Sequence, residues 1–183
     1  TGGQVRLFPY QEIILKGWFE HNFNLFIATR GAAKTFLASL FIWLYPIFNK
    51  GTKIVLASSV FRSSRRIINE MEKVANHKDA KLLRSCFETD GNKIKIHRPN
   101  DEWYYNFNEG SVTALPLNEK IRGQRSDLLI CDEFRLIPQI TYQQVLMPFL
   151  AAKGNITNQL RIQEIENAMI LAGNLDEDER TIL

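Results

Sequence analysis

Cysteine is scarce in this chain of 183 residues: Cys86 and Cys131 are the only two. With no spacing pattern between them, a disulfide framework and a thiolate metal site are both excluded as organising principles. Histidine is nearly as rare, and His21, His77 and His97 lie too far apart in sequence to form a recognisable ligand motif. Long hydrophobic runs are missing too. The greasiest stretch, "FLASLFIWLYPIF", is broken by Pro46 and is too short to span a bilayer; it reads as a buried helix, and no membrane partner is expected. Charge of one sign is not in excess either. A net charge of +3 is compatible with an anionic partner but does not establish one.

What is present suits a folded α/β protein. Hydrophobic residues make up 45% and charged residues 23%, so the chain can bury a substantial core, and residues 1–183 are taken as one domain. "YQEIILKGWFEHN" has helical apolar spacing. "LFIA" reads as a short strand, followed by the helix "KTFLASLFIWLYPIF", stopped near Pro46, and "KIVLAS" reads as a buried parallel strand. "VFRSSRRIINEMEKVAN" is an amphipathic helix with Ile67, Met71 and Val74 close to one face. From Leu83 to Ser111 short runs with turn signals at Asp90-Gly91 and Glu109-Gly110 predict antiparallel hairpins at the edge of a parallel sheet. "DLLICDE" is a buried strand ending in two carboxylates, and "AMILAGN" is another, ending at Gly173-Asn174. Strands alternating with helices predict a mostly parallel central sheet flanked by helices, with ligands beyond the carboxyl ends of the strands.

The segment "ATRGAAKT", Ala28 to Thr35, lies between the predicted strand and the long helix. It ends like a phosphate-binding loop, although Ala28 and Ala33 occupy the two places where the pattern calls for glycine. Its context is the one a phosphate loop requires, because the backbone N–H groups of Thr29, Arg30, Gly31, Ala32 and Ala33 and the helix N-terminus can face one anion. Lys34 would add positive charge near the β and γ phosphates, and the Thr35 hydroxyl would ligate magnesium. A basic loop leading into a core helix is the plainer alternative. Alanine is tolerated for glycine where φ is negative and obstructs where φ must be positive.

The second half of such a site is "LLICDE". A phosphate-loop hydrolase needs a carboxylate to hold magnesium and a base to orient water, and Asp132 and Glu133 at a strand end could supply the two roles in that order. Taken alone, the pair could equally be a solvated acidic strand end.

Together these motifs resemble the ATPase domain of the large terminase subunit of tailed bacteriophages, the motor that pumps DNA into an empty capsid. "FPYQ" is similar to the family's adenine-recognition segment, which implies that Gln11 reads the adenine edge. "ATRGAAKT" matches the variant phosphate loop, with Arg30 in the place of its arginine. "FNEGSVTALPLNEKIRGQRSDLLICDE" resembles the passage from a Gly-Ser hairpin through an Arg-Gly turn into the acidic strand, and "MILAGN" resembles the coupling segment, with Asn174 as a nucleotide contact. The resemblance implies a P-loop NTPase fold of the ASCE/RecA-like type and the cofactors ATP and Mg2+. Glu133, Lys34 and Arg30 would be catalytic. Double-stranded DNA, the portal protein, the small terminase subunit and a following C-terminal nuclease domain are the implied partners. The implied assembly is a homo-oligomeric ring on the procapsid, at the portal vertex in the host cytoplasm, and an isolated monomer is compatible with it.

Two other classes share parts of this pattern. A helicase-like DNA-dependent ATPase would carry the same loop and acidic pair but needs a second RecA-like domain, for which 183 residues leave no room. A non-hydrolysing nucleotide-binding assembly module would suit the alanines of the loop, but has no chemical need for Lys34, Thr35, Asp132 and Glu133 together. Arg122 and Arg125 flank the turn before the acidic strand and read as structural or interfacial. Arg62, Arg65 and Arg66 form a cluster that could face phosphates or simply be solvated. Trp103, Tyr105 and Phe107 alternate and so share one strand face, which predicts packing against the sheet.

Overall fold

The computed structural model describes residues 6–29, 31–117 and 125–150. Its frame is a four-stranded sheet built from β1 (Lys53–Ser58), β4 (Trp103–Phe107), β5 (Gly110–Pro116) and β6 (Leu128–Asp132), in the order β4-β5-β1-β6. β1 runs parallel to both β5 and β6, and β4 is the antiparallel edge. A separate two-stranded ribbon, β2 (Thr89–Asp90) and β3 (Lys93–Ile94), lies outside that sheet. The mostly parallel sheet with an antiparallel hairpin at its edge is therefore as the sequence predicts. Among the described residues no helix is long and apolar enough to cross a membrane.

Helices cover the sheet according to side-chain alternation. α1 (Pro9–Glu20) packs on α2 (Lys34–Phe48) through Leu15, Leu37 and Phe41, and aromatic edges from Trp18 and Phe19 meet Phe41. α3 (Phe61–Ala75) buries Ile67, Ile68, Met71 and Ala75 against Ile54 and Leu56 of β1 and against Tyr105 and Phe107 of β4. The opposite residues of β1, Val55 and Ala57, join Ile137, Tyr142, Val145, Leu146 and Phe149 on the other face. This second layer comes from α5 (Gln139–Thr141), a π turn over Tyr142–Leu146 and α6 (Met147–Leu150). A short α4 (Lys81–Arg84) precedes the ribbon.

Two expectations need correction. "LFIA" forms no strand: its residues belong to no ladder among the described strands, and Leu25 and Ile27 are exposed while Phe26 packs edge-on against Trp18. Apolar character gives a segment strand propensity, but a strand also needs a neighbour to take its backbone hydrogen bonds. β6 is half-buried rather than buried, because it is the last strand of the described sheet. α2 covers the predicted "KTFLASLFIWLYPIF" and ends two residues past Pro46, as expected; Asn49 N–H donates to the Tyr45 carbonyl at 2.9 Å, and the Asn108 amide donates to the Pro46 carbonyl at 2.9 Å. The "AMILAGN" strand lies outside the described residues.

The β4–β5 hairpin turns on Asn108 and Glu109, whose φ values of 45° and 67° match the paired left-handed conformation of a type I′ turn. Gly110 follows for a different reason. A Cβ on it would lie 2.1 Å from the Thr52 carbonyl oxygen, in the backbone that leads into β1. Gly110→Ala is therefore expected to destabilise the domain by about 3 kcal/mol, in the range of overpacked sites. Urea denaturation of the variant beside the parent measures this, and a change below about 0.5 kcal/mol would show that the backbone at Thr52 yields freely.

Candidate active site

The site grows out of two parallel strands held in register. The amide N–H of Asp127 donates to the Lys53 carbonyl at 2.8 Å, and the Asp127 carboxylate accepts from the Lys53 N–H at 2.9 Å, so β6 is pinned to β1 at its start. From there the ladder pairs Ile54 with Leu128, Leu56 with Ile130 and Ser58 with Asp132. Leu128 and Ile130 pack on the cluster formed with α2 and α3, whereas Leu129 and Cys131 pack on the opposite layer. A period of two then puts Asp132 and Ser58 side by side on the α2/α3 face, at the carboxyl ends of both strands. Burial pushes the Cys131 thiol up to about 12, so it stays neutral and serves as packing.

Asp132 is the last residue of β6. Its Oδ1 accepts the Glu133 backbone N–H at 3.0 Å. Its carboxyl is held above the usual range, first by burial and also by the neighbouring Glu133 charge, while that N–H bond and the charges of Lys34 and Arg66 pull it back. Glu133 is exposed, and its backbone is left-handed at φ 52°. Its carbonyl accepts from Leu136 N–H at 2.9 Å, which closes the 3-10 turn Phe134–Leu136 directly behind the acidic pair. A left-handed glutamate costs on the order of 1 kcal/mol or more, a strain found at sites where direction matters more than stability.

The loop answers from the other side. α2 begins at Lys34, and its N-cap residue Ala33 has φ 56°, ψ 29°, a left-handed conformation of the kind glycine adopts without steric cost. The alanine thus stands where the missing glycine matters most. Gly31, at φ 91°, retains the freedom that Ala33 lacks. Lys34 Nζ donates to the Ala28 carbonyl at 2.5 Å and to the Thr29 carbonyl at 2.9 Å, so the loop's own backbone satisfies the ammonium. Thr35 is half-buried in the first turn of α2, and the Ala32 N–H reaches the Thr29 carbonyl at 3.4 Å. Arg30, Arg122, Gly173 and Asn174 lie outside the described residues.

Gln11 is buried, and its amide already has work. Oε1 accepts the Phe8 N–H at 3.0 Å, closing the start of α1, and Nε2 donates to the Tyr10 hydroxyl at 3.4 Å. The carbonyl side of the amide is thus committed to the helix start, and Nε2 retains a second hydrogen for a base edge. Phe8 and Tyr10 stack beside it with ring centroids 5.9 Å apart, and both are exposed. The sequence reading missed this stacked pair, although both rings are legible in "FPYQ".

Among the described residues no three histidine, cysteine or acidic side chains gather into a metal cluster. The donors expected from the sequence are the Asp132 carboxylate and the Thr35 hydroxyl. That set fits magnesium only as a partial shell, which nucleotide oxygens and water would complete. A surface depression of about 390 Å³ lies elsewhere, at the Asn108–Gly110 turn, and none of the candidate residues lines it.

Residues 25–161 match the family model described as terminase large subunit, T4likevirus-type, N-terminal. The chain belongs to the terminase large-subunit family. Solved structures agree on the fold. The large terminase of a thermophilic bacteriophage superposes with a TM-score of 0.61 at 14% identity, covering 81% of this chain and 36% of that one. A second crystal form of the same protein gives 0.57 at 14% identity, covering 80% and 36%. The large-terminase ATPase domain of Thermus phage P74-26 gives 0.51 at 12% identity, covering 68% and 53%. This terminase chain therefore spans about a third of the length of the first of these relatives. No curated protein matches it. The fold these terminase structures share with the chain is the one the resemblance implies.

Two measurements test this geometry in the terminase chain. Ala33→Gly is expected to stabilise the nucleotide-free domain by about 0.5 to 1 kcal/mol in urea denaturation, because relief of the left-handed alanine exceeds the entropy that glycine adds. A loss of stability would mean that Ala33 is not held left-handed in solution. The second concerns Asp132. A carboxyl whose folded-state pKa is raised binds more protons folded than unfolded, so its ionisation opposes folding as pH rises through the ordinary carboxylate range and beyond. Asp132→Asn should accordingly raise the urea midpoint at pH 7 in the presence of EDTA, and the advantage should shrink as pH falls below that range. A pH-independent difference would refute the burial of this charge.

Proposed function

We propose that the chain is the ATPase part of a DNA-packaging motor, which binds ATP with Mg2+ at the carboxyl ends of β1 and β6 and hydrolyses it to drive double-stranded DNA into a procapsid. The observation that carries the reading is the convergence of Lys34 and Asp132 on one face of the sheet, with Lys34 close enough for its charge to act on the carboxyl. Family membership supplies the packaging context.

The chain's own residues divide the work as follows. Lys34 exchanges its carbonyl partners at Ala28 and Thr29 for phosphate oxygens, so the bonds that tie it to its own loop are the ones that open for the substrate. Asp132 and the Thr35 hydroxyl would hold magnesium, which when bound neutralises charge on the phosphates and offsets the carboxylate's burial. Glu133, turned out of the strand by its left-handed backbone, orients the attacking water and takes its proton. Gln11 contributes the free hydrogen of its amide to the base, beside the Phe8–Tyr10 stack. Arg30 is assigned to the transferring phosphoryl group, and Asn174 to the coupling segment. The portal protein, the small terminase subunit, a C-terminal nuclease domain and a homo-oligomeric ring at the portal vertex in the host cytoplasm complete the proposed setting.

A non-hydrolysing nucleotide module is the second reading. It is favoured by the strained Ala33 and by a lysine satisfied within its own loop. Steady-state hydrolysis with and without magnesium, over a range of protein concentrations and with nucleotide binding measured separately, decides between the two. Glu133→Gln should cut turnover by about 10³-fold while ATP binding persists. Lys34→Ala should weaken binding itself, and specific activity that rises with concentration would report a neighbouring subunit. Tight binding without turnover at any concentration would leave the module reading standing.

A further inference from the structure

α3 starts three residues after β1 ends, so its first turns stand at the carboxyl edge of the sheet, where Ser58 and Asp132 are neighbours. Its inner face is fixed by Ile67, Ile68, Met71 and Ala75. Arg62 and Arg66, one turn apart, are left exposed. The other arginines nearby are committed. Arg65 lies over the rings of Phe61 and Trp103 at 4.8 and 5.0 Å, and Arg98 meets Glu72 at 2.7 Å. Arg66 instead sends its field onto Asp132, as Lys34 does from α2, so the carboxylate feels a cation from each of the two helices above this face. The floor between them is unusual. The Ser58 side chain is fully buried, and its hydroxyl has no hydrogen-bond partner among the described residues. The neighbouring Ser59 hydroxyl is likewise buried and unpartnered among them. Buried hydroxyls are normally satisfied, so the orphaned Ser58 hydroxyl at the strand end is a donor left over for an incoming polar group.

We propose that Arg66 is a phosphate-reading residue of this site, with Ser58 as its polar floor, and that it separates a nucleoside triphosphate from a diphosphate. The inference rests on the nucleotide reading above. A guanidinium is planar, always charged and suited to phosphate oxygens, and Arg66 shares its edge of the sheet with the acidic pair that would face the terminal phosphate. The Arg66 charge acts on the Asp132 carboxylate. Once a divalent cation takes up that carboxylate's charge, the terminal phosphate becomes the better partner for the guanidinium.

The test is equilibrium binding of fluorescent ATPγS and fluorescent ADP to the 183-residue chain, with Mg2+ and with EDTA, for the parent, Arg66→Ala, Arg66→Lys and Lys34→Ala. Circular dichroism checks that each variant is folded. Arg66→Ala should weaken the triphosphate analogue about tenfold in Mg2+ and the diphosphate less than twofold, as for one lost charge-assisted hydrogen bond. Arg66→Lys should recover part of the loss. Equal weakening of both nucleotides would overturn the inference and leave Arg66 as a general source of positive field. No change in Arg66→Ala while Lys34→Ala loses both nucleotides would overturn it and leave the nucleotide site standing. No change in either variant would remove the nucleotide site as well.

Discussion

The arrangement of the site depends on the register between β1 and β6. Because Asp127 clamps the first residue of β1 from both its N–H and its carbonyl, Ser58 and Asp132 finish level with each other. A slip of one residue would invert the pleat and turn Asp132 into the layer of Ile137 and Leu146, where a carboxylate has no reason to be, and would bring Cys131 to the α2 face. The register thus fixes which acidic group meets Lys34 and Arg66. The same alternation that builds two hydrophobic layers places the chemistry.

Backbone strain is distributed in a way that supports this view. Four non-glycine residues among those described have positive φ: Ala33, Asn108, Glu109 and Glu133. The two in the hairpin are explained by the turn they make. The other two flank the candidate site from its two sides, one ending the loop before α2 and one ending β6. Ala33 holds the loop in a form that lets Lys34 fall back on the Ala28 and Thr29 carbonyls. Glu133 breaks away from the strand, so adjacent carboxylates do not share one direction. Lysine and acidic pair are each held by their own backbone, which keeps unlike charges near each other without a collapsed ion pair.

Most of this was legible in the sequence, for physical reasons that differ by residue. The run "KIVLAS" and the alternation of Trp103, Tyr105 and Phe107 report burial directly, and both became strands packed as expected, with Tyr105 and Phe107 in the core. Lys34, Asp132 and Glu133 stand out in the sequence by their motifs, and the fold puts Lys34 at the start of α2 and the acidic pair at the end of β6. What local pattern could not carry was partnership. "LFIA" is as apolar as a strand, but no described strand takes its hydrogen bonds, and β6 has strand composition while remaining half-buried at the end of the described sheet. The role of Arg66 was equally hidden. In "FRSSRRIINEMEK" the three arginines look alike, and only the helix rotation fixed by Ile67 and Met71 separates Arg65, lying over Trp103, from Arg66, whose charge acts on Asp132.

That rotation also determines what α3 can transmit. The helix is amphipathic along its whole length and buries its inner face on Ile54, Leu56, Tyr105 and Phe107, so it moves as a unit or not at all. Near its start it carries Arg66 at the acidic pair. Further along, Glu72 holds Arg98, and Asn76 accepts the Ile94 N–H at 3.0 Å. Trp103, at the start of β4, lies between Arg65 and Arg98, with both guanidinium carbons 5.0 Å from its ring. A change of partner at Arg66 would therefore be felt first at β3 and β4, through a helix whose packing resists local bending. The second layer, built on Val55, Ala57 and Leu146, touches the opposite side of the sheet and has no such lever. On this geometry, the part of the domain that responds to the site is the hairpin edge rather than the α5–α6 face.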